Sequence, residues 1–401
     1  MISGTWSRRA VLGLLALGPL TLAGCSPSFD ALGPRPPPAD IVGSAGNALP
    51  QPGESFGTGP VQVALLLPLT GDPNLASLGI SLANGSRLAM DFIEQSQTIG
   101  DNITIQLIDT GADSAGAARA ATRAVEAGAQ LMLGPLRAEQ VQAAGAVARS
   151  AGIPVIAFSN NPSVAAPGVY LLGVLPQAEL RRSLGFSRAA GHRHFAGLFP
   201  QTESGRLQQA AFQGVAAELG LAPRLVQGFA SPAEARSAVA RLAPMILAGE
   251  VDALVLPDRA SAPLIANLLQ QLGVRRGSLQ IIGSADWSGD TAIQAAPLLY
   301  GAIFPAVDEA GYRAIQPQYE AKFAGRPHPL TTLSYTATIL ANVSALSRSE
   351  PPYQRSQINL PGGFNGRDGV FRFRSDGTSD YALAIRSVTE SGSSQLEGPK
   401  L

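Results

Sequence analysis

The 401-residue chain contains very little cysteine, lysine and histidine. Its one cysteine, Cys25, excludes an intramolecular disulfide and a metal site built from several thiolates. Neither lysine, Lys322 or Lys400, stands in a glycine-rich phosphate loop, and no predicted strand-to-helix turn carries the Gly-x-Ser-x-Gly sequence of a nucleophile. His192 and His194 have no carboxylates at metal-ligand spacing along the chain. We therefore expect a protein that is not an enzyme and that has neither a metal nor a cofactor.

An excess of positive charge and long apolar runs are also missing. The chain has 29 basic and 29 acidic residues, which argues against binding to nucleic acid because no surplus of cations is available to displace phosphate counterions. Beyond the first 25 residues, no apolar run reaches the length of about 18 that a membrane span needs. With 45% apolar and only 14% charged residues, however, the chain can bury the cores of two packed lobes.

The first 24 residues have the pattern of a secretory signal peptide. Arg8 and Arg9 precede an apolar run from 10 to 24, which ends in Leu-Ala-Gly-Cys at Cys25. This ending resembles the lipobox of bacterial lipoproteins, which implies a lipid on Cys25 and a membrane lipid as partner. Export by the general secretory route or by the twin-arginine route both remain open. Ser26, instead of aspartate, resembles the lipoproteins that are sorted to the outer membrane.

A tether is predicted between the lipid and the folded body, over residues 25–60. From 26 to 60 the chain contains eight prolines and six glycines, with little that could be packed. Such a segment buries too little apolar surface to offset its conformational entropy, so we expect an extended, partly polyproline conformation.

From Val61 onward, strand and helix patterns alternate with a period of about 30 residues, which predicts parallel doubly wound sheets. Ser231-Pro232-Ala233-Glu234 predicts a helix start with a capping box. A stretch without clear periodicity at 170–179 separates two such sets of strands, so two α/β lobes with a cleft between them are expected. The predicted strands are 61–67, 103–109, 131–134 and 155–158 in the first lobe, and 194–199, 225–229, 253–256 and 280–283 in the second.

Ligands of open parallel sheets bind at the carboxyl ends of the strands, so the loops that leave each strand are the candidate binding site. These loops are rich in small polar residues, which could hold a small polar or anionic ligand beside helix N-termini. Alternatively, the same residue types only cap helices and turn the chain. The candidate ligand-binding residues are Thr70, Asp109, Arg137, Glu139, Ser159, Asn160 and Asn161 in the first lobe, and Thr202, Ser204, Asp286 and Trp287 in the second.

An ordered series of motifs resembles the type I periplasmic-binding-protein family, of the leucine/isoleucine/valine-binding kind. It includes Val-Ala-Leu-Leu-Leu-Pro-Leu-Thr-Gly at 63–71, Ile-Asp-Thr-Gly-Ala-Asp at 108–113, Leu-Gly-Pro at 133–135 and Ala-Gly-Ile-Pro-Val-Ile at 151–156. The resemblance implies two Rossmann-like lobes joined by three crossovers, near Leu175, Tyr300 and Gly377. The first lobe would then hold 61–175 and 301–376 and the second 176–300 and 377–392, with 393–401 as a disordered tail.

The sequence departs from transport-type members at the loop after the third strand. There Arg137 and Glu139 stand where the family presents serines that hold the carboxylate of an amino acid, although Asp286 could bind its ammonium group. The chain is therefore similar to penicillin-binding-protein activators, lipoproteins that stimulate a peptidoglycan synthase. The alternative is a lipoprotein that delivers an amino acid or a similar small solute to the permease of an ABC importer. Both interpretations imply a lipid-anchored protein of the periplasm, with outer-membrane attachment favoured by Ser26.

Overall fold

The computed structural model describes residues 49–401. The predicted signal peptide, the lipidation site Cys25 and the tether as far as residue 48 lie outside the described residues. Within residues 49–401, no helix is both long and apolar enough to cross a bilayer.

The first lobe is built on a six-stranded sheet in the order β1-β3-β2-β4-β5-β6. All neighbouring strands are parallel except β1, which pairs antiparallel with β3. The central strand β2 is an almost continuous apolar run, as expected of a strand covered on both faces. The strands are β1 (Ser55–Phe56), β2 (Val61–Leu67), β3 (Ile103–Asp109), β4 (Leu131–Leu133), β5 (Val155–Ala157) and β6 (Val169–Leu171).

Three helices connect these strands: α1 (Pro73–Gln95), α2 (Ser114–Glu126) and α3 (Ala138–Ser150). The side chains of Asp72 and Asp113 cap α1 and α2, because each accepts a hydrogen bond from a backbone N–H three residues later, at 2.8 and 2.6 Å. The buried face of α2 consists of alanines and one glycine, and this allows α2 and α3 to pack closely on the same side of the sheet.

The second lobe is built on a seven-stranded sheet in the order β16-β15-β11-β10-β9-β7-β8. The capping box at Ser231 is confirmed: its hydroxyl accepts from the N–H of Glu234 at 3.2 Å, and the Glu234 carboxylate accepts from the N–H of Ala230 at 2.8 Å. The strands are β7 (Phe195–Pro200), β8 (Leu225–Phe229), β9 (Ala253–Val255), β10 (Gln280–Ile282) and β11 (Ile303–Ala306), which are parallel, and the antiparallel β15 (Leu383–Thr389) and β16 (Gly392–Lys400). The helices are α4 (Pro176–Ala189), α5 (Glu203–Glu218), α6 (Pro232–Leu247), α7 (Ala262–Gln271) and α8 (Thr291–Gln294).

The segment between β11 and β15 returns to the first lobe. Its helix α10 packs against α1 so closely that a Cβ on Gly85 would lie 2.6 Å from Ser334 Oγ, which itself donates to the carbonyl of Leu82 at 2.6 Å. Phe371 and Phe373 of its small sheet join the core under β6. The segment comprises α9 (Ala310–Lys322), α10 (Thr331–Asn342), α11 (Ser344–Ser347), α12 (Arg355–Ile358), β12 (Phe364–Gly366), β13 (Gly369–Phe373) and β14 (Ser379–Tyr381).

The prediction of an α/β protein with two parallel-sheet lobes is confirmed, and the chain passes between the lobes three times. The crossing points differ from those expected. The second lies after β11, not near Tyr300, because β11 pairs with β10 and β15 in the second sheet. The third lies after Tyr381, not near Gly377, because β14 still pairs with β13, whereas β15 pairs with β11 of the second sheet.

Both ends of the folded body also differ from the expectation. Residues 393–401 are not a free tail, since β16 pairs with β15 along the edge of the second sheet. Residues 50–60 are not part of an extended tether, because they pack along β3 and supply the edge strand β1. Gly53 donates to the carbonyl of Leu107 at 2.8 Å, and Glu54 forms an ion pair with Arg87 of α1. Polar composition suggested flexibility in both places, but backbone hydrogen bonding to an open sheet edge orders them.

Candidate functional site

The candidate site consists of the loops that follow the carboxyl ends of the parallel strands. In the first lobe, Asp109 ties two of these loops together. Its Oδ1 accepts from the N–H groups of Leu69 and Gly111 at 2.8 and 2.9 Å, and its Oδ2 accepts from the Thr70 hydroxyl at 2.5 Å. Burial alone would raise the pKa of Asp109, but these hydrogen bonds outweigh it and hold the pKa below its ordinary value. Asp109 therefore shapes the loops, and the exposed Thr70 is already bonded to it.

The loop after β4 presents charge at its surface. Arg137 and Glu139 form an ion pair of 2.6 Å with side chains 52% and 46% exposed, so each partly neutralises the other. The neighbouring Gln140 is fully buried and donates to the carbonyl of Gly111 at 2.9 Å, which links this loop to the one after β3.

The three polar residues of the loop after β5 have different roles. Ser159 is buried and its hydroxyl accepts from the N–H of Asn161 at 3.2 Å. Asn161 caps a 3₁₀ turn, because its Oδ1 accepts from the N–H of Ser163 at 3.0 Å and from the Ser163 hydroxyl at 2.7 Å. Asn160 is exposed, and its side chain bonds to none of the residues 49–401. Of the three, Asn160 is the one available to a ligand.

In the second lobe, two of the predicted residues belong to the start of helix α5. Thr202 caps α5, with its hydroxyl accepting from the N–H of Gly205 at 3.0 Å, and Ser204 lies half-buried in the first turn. Trp287 does not line the cleft as expected. Its ring is fully buried against Gly283 and its indole N–H donates to the carbonyl of Pro257 at 3.2 Å.

The indole therefore supports the loop from below. Ser284, also buried, donates from its hydroxyl to the same carbonyl at 2.7 Å, which joins the loops after β9 and β10. This arrangement leaves Asp286 as the exposed residue at the top of the loop after β10.

Two carboxyl groups, those of Asp286 and Glu179, interact at the loop after β10. Asp286 is exposed, but surrounding protein partly desolvates it and raises its pKa, an effect that the charge of Arg259 opposes. Glu179, in the first turn of α4, accepts from the N–H of Ala285 at 3.1 Å. Burial and, to a smaller extent, the charge of Asp286 raise the pKa of Glu179 to about 8. At neutral pH Glu179 therefore retains its proton.

The acidic pair lies beside the crossovers. Glu179 follows directly after the first crossover, and Ser288, two residues beyond Asp286, donates from its hydroxyl to Glu309 at 2.8 Å, just after the second. At the third crossover, the Asp380 carboxylate is shared by Arg372 and Arg374 of the first lobe, at 3.0 and 3.1 Å, and by Arg181 of the second, at 3.6 Å. Ion pairing thus connects the lobes next to the site.

The residues predicted from the sequence did not include Glu179, whereas the loop with Arg259 was among the strand-exit loops of the second lobe. Glu179 stands about a hundred residues before Asp286, and its signal was only an acidic residue in the first turn of a helix that begins at Pro176. Arg259 pairs with Asp290 at 3.5 Å, in the loop after β9. Within residues 49–401, no three histidine, cysteine or acidic side chains are grouped to hold a metal ion. Ser55, the serine of a Gly-x-Ser-x-Gly sequence at 53–57, lies on the edge strand β1, not at a strand-to-helix turn.

Comparison with known proteins agrees with this architecture. The sequence profile of the periplasmic binding protein family matches residues 60–359. The chain belongs to the periplasmic binding protein family. No protein with a curated description matches it.

Several solved structures of this family share the fold at low sequence identity. A candidate branched-chain amino acid ABC transporter from Rhodospirillum rubrum is 18% identical, with 84% of this chain and 99% of that chain covered and a TM-score of 0.72. An ABC transporter substrate-binding protein from Desulfitobacterium hafniense in complex with Leu is 16% identical, with 84% and 99% covered and a TM-score of 0.61. A solute-binding protein of an ABC transporter from R. palustris in complex with benzoate is 18% identical, with 86% and 98% covered and a TM-score of 0.56. At these identities the likeness establishes the fold, not the ligand.

Proposed function

We propose that this periplasmic binding protein is the solute-binding component of an ABC importer, and that its solute is an amino acid or a similar small molecule with a cationic nitrogen. The observation that carries the proposal is the position of Asp286 at the exposed top of a strand-exit loop, with Glu179 beneath it. An ammonium group would form a charge-assisted hydrogen bond with Asp286. Structures of the same fold in complex with Leu or with benzoate support a small solute.

A carboxylate on the same solute would be recognised by the first lobe. Asn160 has free amide N–H groups, and Arg137 can turn from Glu139 towards an anion because their exposed ion pair is worth only about 0 to 1 kcal/mol. Hinged closure of the lobes would then bring both halves of the site onto the solute.

A thermal-shift screen against amino acids and other small molecules with a cationic nitrogen tests this proposal. A solute at about 100 times its dissociation constant adds about 2.7 kcal/mol to the free energy of unfolding, which is a clear rise in melting temperature. Asp286→Asn should abolish the rise. Glu126→Gln, which changes an exposed carboxylate of α2 without a partner in residues 49–401, should leave it intact. A flat screen over all solutes would contradict an import function.

A second candidate function is the activation of a peptidoglycan synthase. It is favoured by the loop after β4, where an Arg137–Glu139 pair is exposed instead of ligand-binding hydroxyls. Charged pairs at a rim are typical of protein interfaces. Co-precipitation with a bifunctional penicillin-binding protein, followed by a glycan polymerisation assay, tests this function. Unchanged polymerisation in the presence of the protein would contradict it.

We further propose that the protein is a periplasmic lipoprotein. The lipobox at 22–25, with the chain's one cysteine, supports lipidation, and Ser26 supports attachment to the outer membrane. Metabolic labelling with a fatty acid should mark the wild-type protein and not Cys25→Ser. Equal labelling of both, or of neither, would refute the anchor, and membrane fractionation would locate it.

A further inference from the structure

The end of the second lobe opposite the strand-exit loops carries an unusual concentration of arginine. The residues that precede the parallel strands β7, β8 and β10 all lie at this edge of the sheet, and the helices α4 to α7 end there. We call this surface the basic pole. It is defined by five exposed arginines and two exposed leucines, namely Arg188, Arg193, Arg224, Arg275, Arg276, Leu247 and Leu272.

Part of this charge has a structural explanation. Arg188 donates to the carbonyl of Leu219 at 3.0 Å, and Arg193 donates to the carbonyl of Arg188 at 2.6 Å. Both bonds satisfy carbonyls at helix C-termini, where a cation is favoured. Arg224, Arg275 and Arg276 are different, because within residues 49–401 their guanidinium groups have no hydrogen-bond or ion-pair partner. Three cations are thus held at one edge without a structural role.

The acidic residues at this edge do not balance the arginines. Asp252 is occupied by the N–H groups of Arg193 and His194, at 3.0 Å each, and lies near both neighbouring histidines. Glu250 is exposed beside it, and Glu390 lies at the far end, beyond β11. Glu218, at the end of α5, is neutralised by its ion pair with Arg181 at 2.9 Å. The pole therefore has a net positive charge, which is complementary to an anionic surface.

The exposed leucines of the basic pole indicate what kind of partner binds there. Leu247 is 59% exposed and Leu272 is 47% exposed, and they stand at the ends of the adjacent helices α6 and α7. Next to them, Val274 and Leu298 line an open pocket of about 430 Å³ that Arg275 and Arg276 border. Isolated leucines among arginines are too few for the apolar centre of a standard protein interface, which buries about 800 Å² on each partner. They suit a bilayer surface, where leucine enters the acyl boundary while arginine binds phosphate.

We propose that the basic pole docks on the surface of a membrane that contains anionic phospholipids. Arg224, Arg275 and Arg276 contact lipid phosphates, and Leu247 and Leu272 enter the interface. The interaction is independent of the solute site and of any lipid on Cys25. It would hold the second lobe against the membrane while the strand-exit loops point away from it.

Vesicle co-sedimentation tests this docking, with residues 26–401 so that neither the apolar run at 10–24 nor an acyl chain on Cys25 contributes. We expect binding to phosphatidylcholine vesicles that contain phosphatidylglycerol, weakening as salt is raised, and no binding to phosphatidylcholine alone. The double variant Arg275→Gln with Arg276→Gln should weaken the binding about 30-fold, because it removes the contributions of two arginines near an anionic surface. Leu247→Ser with Leu272→Ser should weaken binding without changing its dependence on salt.

The matched control is Arg119→Gln with Arg149→Gln, which removes two exposed arginines from helices α2 and α3 of the first lobe. This variant should bind like the parent chain, and circular dichroism should show that all variants are folded. Absence of binding to anionic vesicles, equal binding to neutral vesicles, or equal loss in the control and the pole variants would each overturn the proposal.

Discussion

Replacing Glu179 by glutamine should change how the protein's stability depends on pH. Glutamine keeps an oxygen that can accept from the N–H of Ala285, but it cannot ionise. The pKa of Glu179 is about 8 in the folded protein, against 4.5 in the unfolded chain. Between these values the folded state holds a proton that the unfolded state has released. Stability is therefore fully present below 4.5 and falls as the pH rises to about 8.

The magnitude follows from the size of the shift. One pKa unit corresponds to about 1.4 kcal/mol, so wild type should lose about 4 kcal/mol relative to Glu179→Gln between about pH 5 and pH 9. The side chain is partly accessible to solvent, which screens its interactions and reduces the expected loss to about 2 to 4 kcal/mol. The comparison with the variant removes the contributions of all other titrating groups that both proteins share.

Urea denaturation of both proteins across this pH range measures the difference. The two free energies of unfolding should lie close together at the acidic end and diverge steadily towards about pH 8, with the variant the more stable. Above that value the gap should stay constant. Curves that run parallel from acid to base would refute the assignment of a retained proton to Glu179.

Three further variants test the packing that supports the site. Trp287→Ala should destabilise the protein by about 3 to 5 kcal/mol in thermal unfolding, and a loss under about 1 kcal/mol would contradict the buried position of the ring. Gly85→Ala should destabilise the protein despite the better helix propensity of alanine, because the new Cβ would meet Ser334. Gly214→Ala in α5 meets nothing and should stabilise the protein by up to about 1 kcal/mol. A change of the same sign in the free energy of unfolding of both variants would argue against the close contact of α1 and α10. Asp109→Ala should lower the free energy of unfolding by about 2 to 3 kcal/mol at neutral pH, as measured by chemical denaturation. The difference between wild type and variant should disappear in acid, as the pH falls through the lowered pKa of Asp109. A difference that persists there would exclude a role for the charge of Asp109.

The sequence was sufficient to predict the layered architecture, because the signals are local. The apolar run of β2, the alanine stripe of α2 and the capping box at Ser231 each depend on neighbours within one element. Those patterns do not depend on how distant segments meet. They therefore predicted two parallel sheets and eight of the ten strands that are parallel in them.

The lobe boundaries and the site depended on contacts between distant segments. Nothing local in β11 indicates that it pairs with β15, about 80 residues later, and the polar sequence of β16 gives no sign of an edge strand. Trp287 was expected in the cleft from its place in a loop, but the carbonyl of Pro257 turns the indole inward. Glu179 reaches Ala285 only because α4 packs beside the second sheet. Loop residues were thus predicted as a set, and their individual roles were not.

Calorimetric titration with the solute that gives the largest thermal shift tests the central claim most directly. Wild type and Glu126→Gln should bind it with one site per chain, and Asp286→Asn should weaken that binding by about 1.5 to 3 kcal/mol, the contribution of a hydrogen bond to a charged group. Binding that is the same in Asp286→Asn, or no binding of any amino acid or other small molecule with a cationic nitrogen, would contradict a solute-binding function at the strand-exit loops.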